Sequence, residues 1–253
     1  MSAVLPMASP QSAASVTQAP ALRDRLIVAL DLPTVDDADR IVETLGDTVS
    51  FYKVGMQLQF AAGGAGLRYA EQLVQRGKSV FLDSKLFDIQ ETVERAVENV
   101  ARMGVRFLTV HGTGKTIDAA VKGRSGSALQ ILAVTVLTSL DSEDLQDLFG
   151  VSVSVPDLVL RRAQKALDAG ADGVIASGQE VELIRNLVAN KLRIVTPGIR
   201  RQSDARHDQI RIATPGQAIR AGADYLVVGR PITKALDPRR AAEEILQEIW
   251  DAL

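Results

Sequence analysis

The sequence contains no cysteine. Disulfides, thiolate nucleophiles and cysteine-based zinc sites are thereby excluded together. Histidine is nearly as scarce: the two present, His111 and His207, are too few for a multi-histidine metal centre. No apolar run approaches the roughly 20 residues of a membrane span, and no block of like charge suggests an interaction tail. With 29 basic and 31 acidic residues the net charge is −2. Without a basic stripe, nucleic acid is not an expected partner, and any anion site must be local. The first 22 residues are rich in Ala, Ser, Pro and Gln and carry no positive charge. They lack the basic start and longer apolar centre of a signal peptide. The expectation is a disordered tail over 1–22, a single domain over 23–253, and a cytoplasmic protein.

What is present is an ordinary globular composition, 46% hydrophobic and 24% charged over 253 residues. That length permits two small domains or one barrel, so pattern must decide. Eight short runs qualify as strands: "RLIVALD", "FYKVG", "SVFLDS", "FLTVHG", "QILAVTVL", "GVIAS", "RIVTPG" and "YLVVG". Most are nearly continuous apolar runs, as parallel strands covered on both faces require. Between them lie amphipathic helical patterns such as "VDDADRIVETLG", "QETVERAVENVARMG", "VPDLVLRRAQKALDAG" and "GQEVELIRNLVANK". Several end in Gly, a common residue just past a helix C-terminus. Eight βα units in one domain match a (β/α)₈ TIM barrel. The competing doubly wound sheet is disfavoured because no Gly-rich dinucleotide fingerprint follows the first strand.

A barrel of this kind demands that active-site groups gather at strand C-terminal ends. Asp31 closes "IVALD", Lys53 lies in "FYKVG", and Asp83 and Lys85 close "VFLDSK". Thr138 follows "LAVTVL", "PGIR" follows "RIVT", and Gly229 with Arg230 follow "YLVV". Residues two apart on a strand share a face, so Asp83 and Lys85 can both point into the mouth. The structural alternative is an ion pair, with Asp88 capping the next helix and Glu91 at capping-box spacing. Four charged groups converging on one mouth are hard to justify by stability, since desolvation cancels most of the gain. An ammonium held between carboxylates keeps its proton. It is therefore a poor nucleophile, but it can stabilise a carbanion and then protonate it. Decarboxylation followed by protonation suits this layout.

The Gly229–Arg230 pair after the last strand supplies backbone N–H groups, a positive charge and a helix start, the usual barrel phosphate position. The polar stretch from Pro197 to Thr214, with Arg200, Arg201, Arg206 and Arg211, is long enough to be a functional loop, and a ligand lid is expected. His111 is expected to pack or act behind the site rather than as acid or base, and His207 to be a solvated loop residue. "GTGK" at 112–115 lacks P-loop spacing and reads as a turn into a helix.

Over about residues 25 to 250 the chain resembles the orotidine 5′-monophosphate decarboxylase family. The resemblance lies in "IVALD", "YKVG", "FLDSKLFDIQET", "VTVLTS", "VTPGIR", "DQIRIATPGQAI" and "DYLVVGRPIT". It implies conversion of orotidine 5′-monophosphate to UMP and carbon dioxide, without metal or organic cofactor, at the end of de novo pyrimidine synthesis. By the same resemblance Lys85 protonates the carbon that loses carbon dioxide. Asp83 lies against the departing carboxylate, and Lys53 and Asp88 complete an alternating charge array. The Asp88, Ile89 and Thr92 segment is implied to reach the neighbouring subunit's site, hence an obligate homodimer. Asp31 is implied to bind ribose, Thr138 the pyrimidine edge, and Arg200, Gln209, Gly229 and Arg230 the phosphate and lid.

Members of the family often read "DLKFHDIPNT", where this chain has Ser84, Phe87, Gln90 and Glu91 at the variable positions. An altered affinity is expected rather than a different reaction. Two alternatives are a magnesium-dependent sugar-phosphate decarboxylase or hexulose-phosphate synthase on the same barrel, and a non-catalytic sensor of phosphorylated ligands. The sensor would have no use for the charge array.

Overall fold

A computed structural model describes residues 21–150, 152–200 and 213–253. The eight expected strands are all present: β1 (Leu26–Ala29), β2 (Phe51–Gly55), β3 (Ser79–Leu86), β4 (Phe107–His111), β5 (Gln130–Val134), β6 (Gly173–Ile175), β7 (Arg193–Thr196) and β8 (Tyr225–Val228). Each pairs in parallel with the next, and β8 returns to β1 to close the barrel. The helical patterns become Val35–Leu45, Gln90–Arg102, Val155–Asp168 and Val181–Val188, and "GTGK" turns into the helix Gly114–Gly123. A 3₁₀ turn spans Leu22–Arg25, and Leu22 packs against the core. Of the residues 1–22 expected as a disordered tail, 1–20 lie outside the described residues.

Alternation along the strands builds two cores. One parity (Leu26 and Val28, Tyr52 and Val54, Val80 and Leu82) packs under the surrounding helices. The other parity fills the barrel with Ile27, Phe51, Phe81, Phe107, Leu132, Val195 and Tyr225. The rings of Phe51, Phe107 and Tyr225 meet with centroids 5.1 to 6.0 Å apart, in the tilted and edge-on geometries aromatic quadrupoles favour. Arg106, one residue before β4, lies over all three rings and hydrogen-bonds Asp24 Oδ2 at 3.1 Å and Tyr225 OH at 3.0 Å. This guanidinium closes the N-terminal end of the barrel. The aromatic floor therefore sits below the opposite end, where the next inward residue of each strand is free to be polar.

Candidate active site

Two residues beyond that floor, period-two alternation delivers the polar layer: Phe51 leads to Lys53, Phe81 to Asp83, and Phe107 to Thr109. Register places Ala29 beside Lys53 and Gly55 beside Asp83, so adjacent strands bring these groups to one height. Lys53 Nζ lies 3.0 and 3.1 Å from the two oxygens of Asp31 and 3.3 Å from Asp83 Oδ2. Lys85 Nζ lies 2.8 Å from Asp83 Oδ1. The result is a continuous chain of alternating charge, Asp31–Lys53–Asp83–Lys85.

Lys53 is 7% exposed and Asp83 9%, so both would lose hydration energy without partners. Burial pushes the Asp83 carboxyl up, but the Lys53 and Lys85 charges, with hydrogen bonds from Lys85 and Thr109, outweigh it and hold it below the usual range. Burial likewise pushes the Lys53 ammonium down, and Asp83 and Asp31 together push it further up. Both stay ionised at neutral pH.

These groups border a cavity of about 590 Å³ at the C-terminal ends of the strands. Its wall includes Asp31, Lys53, Asp83, Lys85, Thr138, Arg200, Gly229 and Arg230. Eight residues singled out in the sequence are thus gathered on one site, with the anion-binding candidates Arg200 and Arg230 on the same wall as the charge array. Arg200 is buried, and its backbone N–H donates to Ala213 O at 3.1 Å, next to a bridge between Ile199 and Ala213. This pairing ties together the two ends of the expected lid. Gln209, with Arg201, Arg206, His207 and Arg211, lies outside the described residues.

Asp88, Ile89 and Thr92 are not in the cavity wall. They stand exposed at the start of the helix Gln90–Arg102, with Ile89 72% and Phe87 65% exposed. The capping reading of Asp88 is corrected: Ile89 occupies the N-cap position, and no side chain caps this helix. Asp88 Oδ1 instead accepts from the Ile89 N–H at 2.7 Å. His111 packs its ring on Phe87, with centroids 5.1 Å apart, and burial first, then the Arg162 and Lys85 charges, lowers its pKa.

Sequence reasoning missed Gln57, Thr233 and Lys234, which also border the cavity. The last two directly continue "GRPI", so proximity to that motif was the available signal. It also missed Gly55. A Cβ there would lie 2.2 Å from Asp31 Oδ1 and 2.7 Å from Lys53 Nζ, so the absent side chain is what lets the Asp31–Lys53 pair form. Thr109 was passed over as well, although it sits at the inward parity of "FLTVH".

Comparison with known proteins agrees with this geometry. Residues 24–245 match the family model described as orotidine 5′-phosphate decarboxylase / HUMPS family. An orotidine 5′-phosphate decarboxylase of Nitrobacter winogradskyi is 53% identical over 91% of this chain and 95% of its own length. One from a Bradyrhizobium species is 53% identical over 91% and 93%. The crystal structure of orotidine 5′-phosphate decarboxylase from Lactobacillus acidophilus superposes with a TM-score of 0.78 at 36% identity, covering 89% of this chain and 99% of that one.

Proposed function

The chain belongs to the orotidine 5′-phosphate decarboxylase / HUMPS family, and from that premise we infer that it decarboxylates orotidine 5′-monophosphate to UMP and carbon dioxide. The observation that carries this reading is the Asp31–Lys53–Asp83–Lys85 chain at one wall of a cavity that also holds Arg230. The curated relatives at 53% identity are named for this reaction, which favours it over the magnesium-dependent sugar-phosphate alternatives.

The proposed roles follow from charge and position. Arg230, beside the Gly229 backbone, grips the phosphate, and Arg200 and Gln209 are assigned to the same phosphate group. Asp31 takes a ribose hydroxyl, and Thr138 addresses the pyrimidine edge. The substrate carboxylate is then held close to Asp83, an ionised and nearly buried carboxylate. Breaking the bond between C6 and the carboxylate leaves its electron pair on C6 and releases neutral carbon dioxide, which relieves the repulsion. Lys85 stabilises the developing carbanion by its charge and transfers a proton from Nζ to C6. The lysine then regains a proton from solvent.

Asp88, Ile89 and Thr92 are assigned to the active site of a second copy in a homodimer. Their position outside the cavity of their own chain, beside the exposed apolar Phe87 and Ile89, supports that assignment.

The test follows orotate ultraviolet absorbance when purified protein meets orotidine 5′-monophosphate in EDTA. Loss of absorbance with stoichiometric UMP is expected. No turnover by folded protein would overturn the reading and direct the assay to pentulose and hexulose phosphates with magnesium. Lys85→Ala should lower turnover by at least about 10²-fold while UMP still binds. A sensor of phosphorylated ligands would lose nothing.

A further inference from the structure

Between Leu82 and Leu86 β3 advances four residues while β4 advances two, from Leu108 to Val110. This irregularity in the ladder is a bulge, and bulges re-aim side chains beside active sites. It contains both Asp83 and Lys85, and Lys85 takes a φ of +49°. That conformation is uncommon for a residue with a Cβ and persists only where the surroundings enforce it. Within the bulge the Lys85 N–H donates to the hydroxyl of Thr109 at 3.0 Å. The same hydroxyl donates its own proton to Asp83 Oδ1 at 2.9 Å, the oxygen that also accepts from Lys85 Nζ. Thr109 is fully buried, so water does not compete for its hydroxyl.

We propose that Thr109 is a positioning residue for the decarboxylation, its hydroxyl fixing the Asp83 carboxylate and the left-handed backbone of Lys85 in one hydrogen-bonded ring. The inference rests on the decarboxylase reading for its kinetic consequence, but not for its structural one. A hydroxyl is the smallest group able to accept from a backbone N–H and donate to a carboxylate at once. Valine keeps the shape and β-branching of threonine and can do neither. Without the ring the Lys85 backbone can relax towards an extended strand, which swings Nζ away from the carbon it must protonate. A misplacement of about 1 Å at a reacting group can cost about 10²-fold in rate.

The test compares Thr109→Val with Thr109→Ser. The valine variant should lose about 10- to 100-fold in kcat while UMP affinity stays within about threefold. The serine variant, which keeps the hydroxyl, should recover most of the rate. Hydrogen exchange provides a readout independent of turnover: the Lys85 amide should be protected in wild type and serine variant and exchange faster in the valine variant. If valine prevents folding, Thr109→Cys, with a weakly bonding thiol, takes its place. A valine variant with kcat within about threefold of wild type, a serine variant as slow as valine, or unchanged Lys85 protection would each overturn the proposal. An inactive wild type would overturn the decarboxylase reading instead, and amide exchange would still judge Thr109.

Discussion

Gly55→Ala should damage the site while leaving the fold intact. Gly55 has φ −87° and ψ 175°, an extended conformation any residue adopts, so alanine meets no backbone penalty. Its Cβ would, however, lie 2.2 Å from Asp31 Oδ1, 2.7 Å from Lys53 Nζ and 3.3 Å from Asp31 Cγ. A carbon–oxygen contact settles at roughly 3.3 to 3.6 Å, so the Asp31 carboxylate must retreat by at least about 1 Å. It can do so, because its side chain is 46% exposed and opens to solvent. Lys53 Nζ, 2.7 Å from the added carbon, must shift as well; it keeps its pairing with Asp83, but its second carboxylate is lost. A displacement of that size in a substrate-holding group predicts a fall of about 10²-fold in kcat/KM, with KM raised if Asp31 holds the ribose. Steady-state kinetics beside thermal denaturation would measure it. The reasoning is refuted if kcat/KM stays within about threefold of wild type, or if the variant fails to fold.

Three further outcomes are expected. Folded His111 is held below its ordinary value of about 6.5, whereas the unfolded chain binds its proton there. Stability should therefore fall as pH drops from about 6.5 through the lower folded value, and His111→Gln should remove that part of the slope in urea titrations from pH 8 to 5. Arg106→Leu removes the hydrogen bonds to Asp24 and Tyr225 and the cation over three rings. It should cost about 1–3 kcal/mol, seen as a lower Tm with kcat unchanged, because the damage is at the barrel end opposite the cavity. Mixing Lys85→Ala with Asp88→Asn protein under subunit exchange should restore activity to about a quarter of the sites, as one site of each mixed dimer regains both groups. No recovery in an exchanging mixture would place Asp88 in its own chain's site.

The barrel was legible because its signals are local and repeated. Eight β-branched runs separated by amphipathic segments leave few architectures, and all eight runs appear as strands. Their limits were less legible: "RLIVALD" yields Leu26–Ala29 and "QILAVTVL" yields Gln130–Val134. Apolar character continues past the point where the chain leaves the ladder to form the mouth, and pattern alone does not mark where pairing stops. The convergence of Asp31, Lys53, Asp83 and Lys85 followed from parity and strand-end position, both of which are properties of the one-dimensional chain.

Other features exist only between strands. Gly55 is only the last residue of the run "FYKVG" until the register sets it against Asp83 and beneath the Asp31 carboxylate. Thr109 reads as one β-branched residue in an apolar strand until the bulge in β3 leaves the Lys85 N–H facing it. Alternation carries Asp83 and Lys85 to the same side, but the left-handed turn at Lys85 and the hydroxyl that ties it down arise from two strands meeting out of step. Charge, parity and order along the chain were thus determined by the sequence itself. Clearance around the ion pairs and the aim of Lys85 were decided by packing, because both depend on distances between residues more than twenty positions apart.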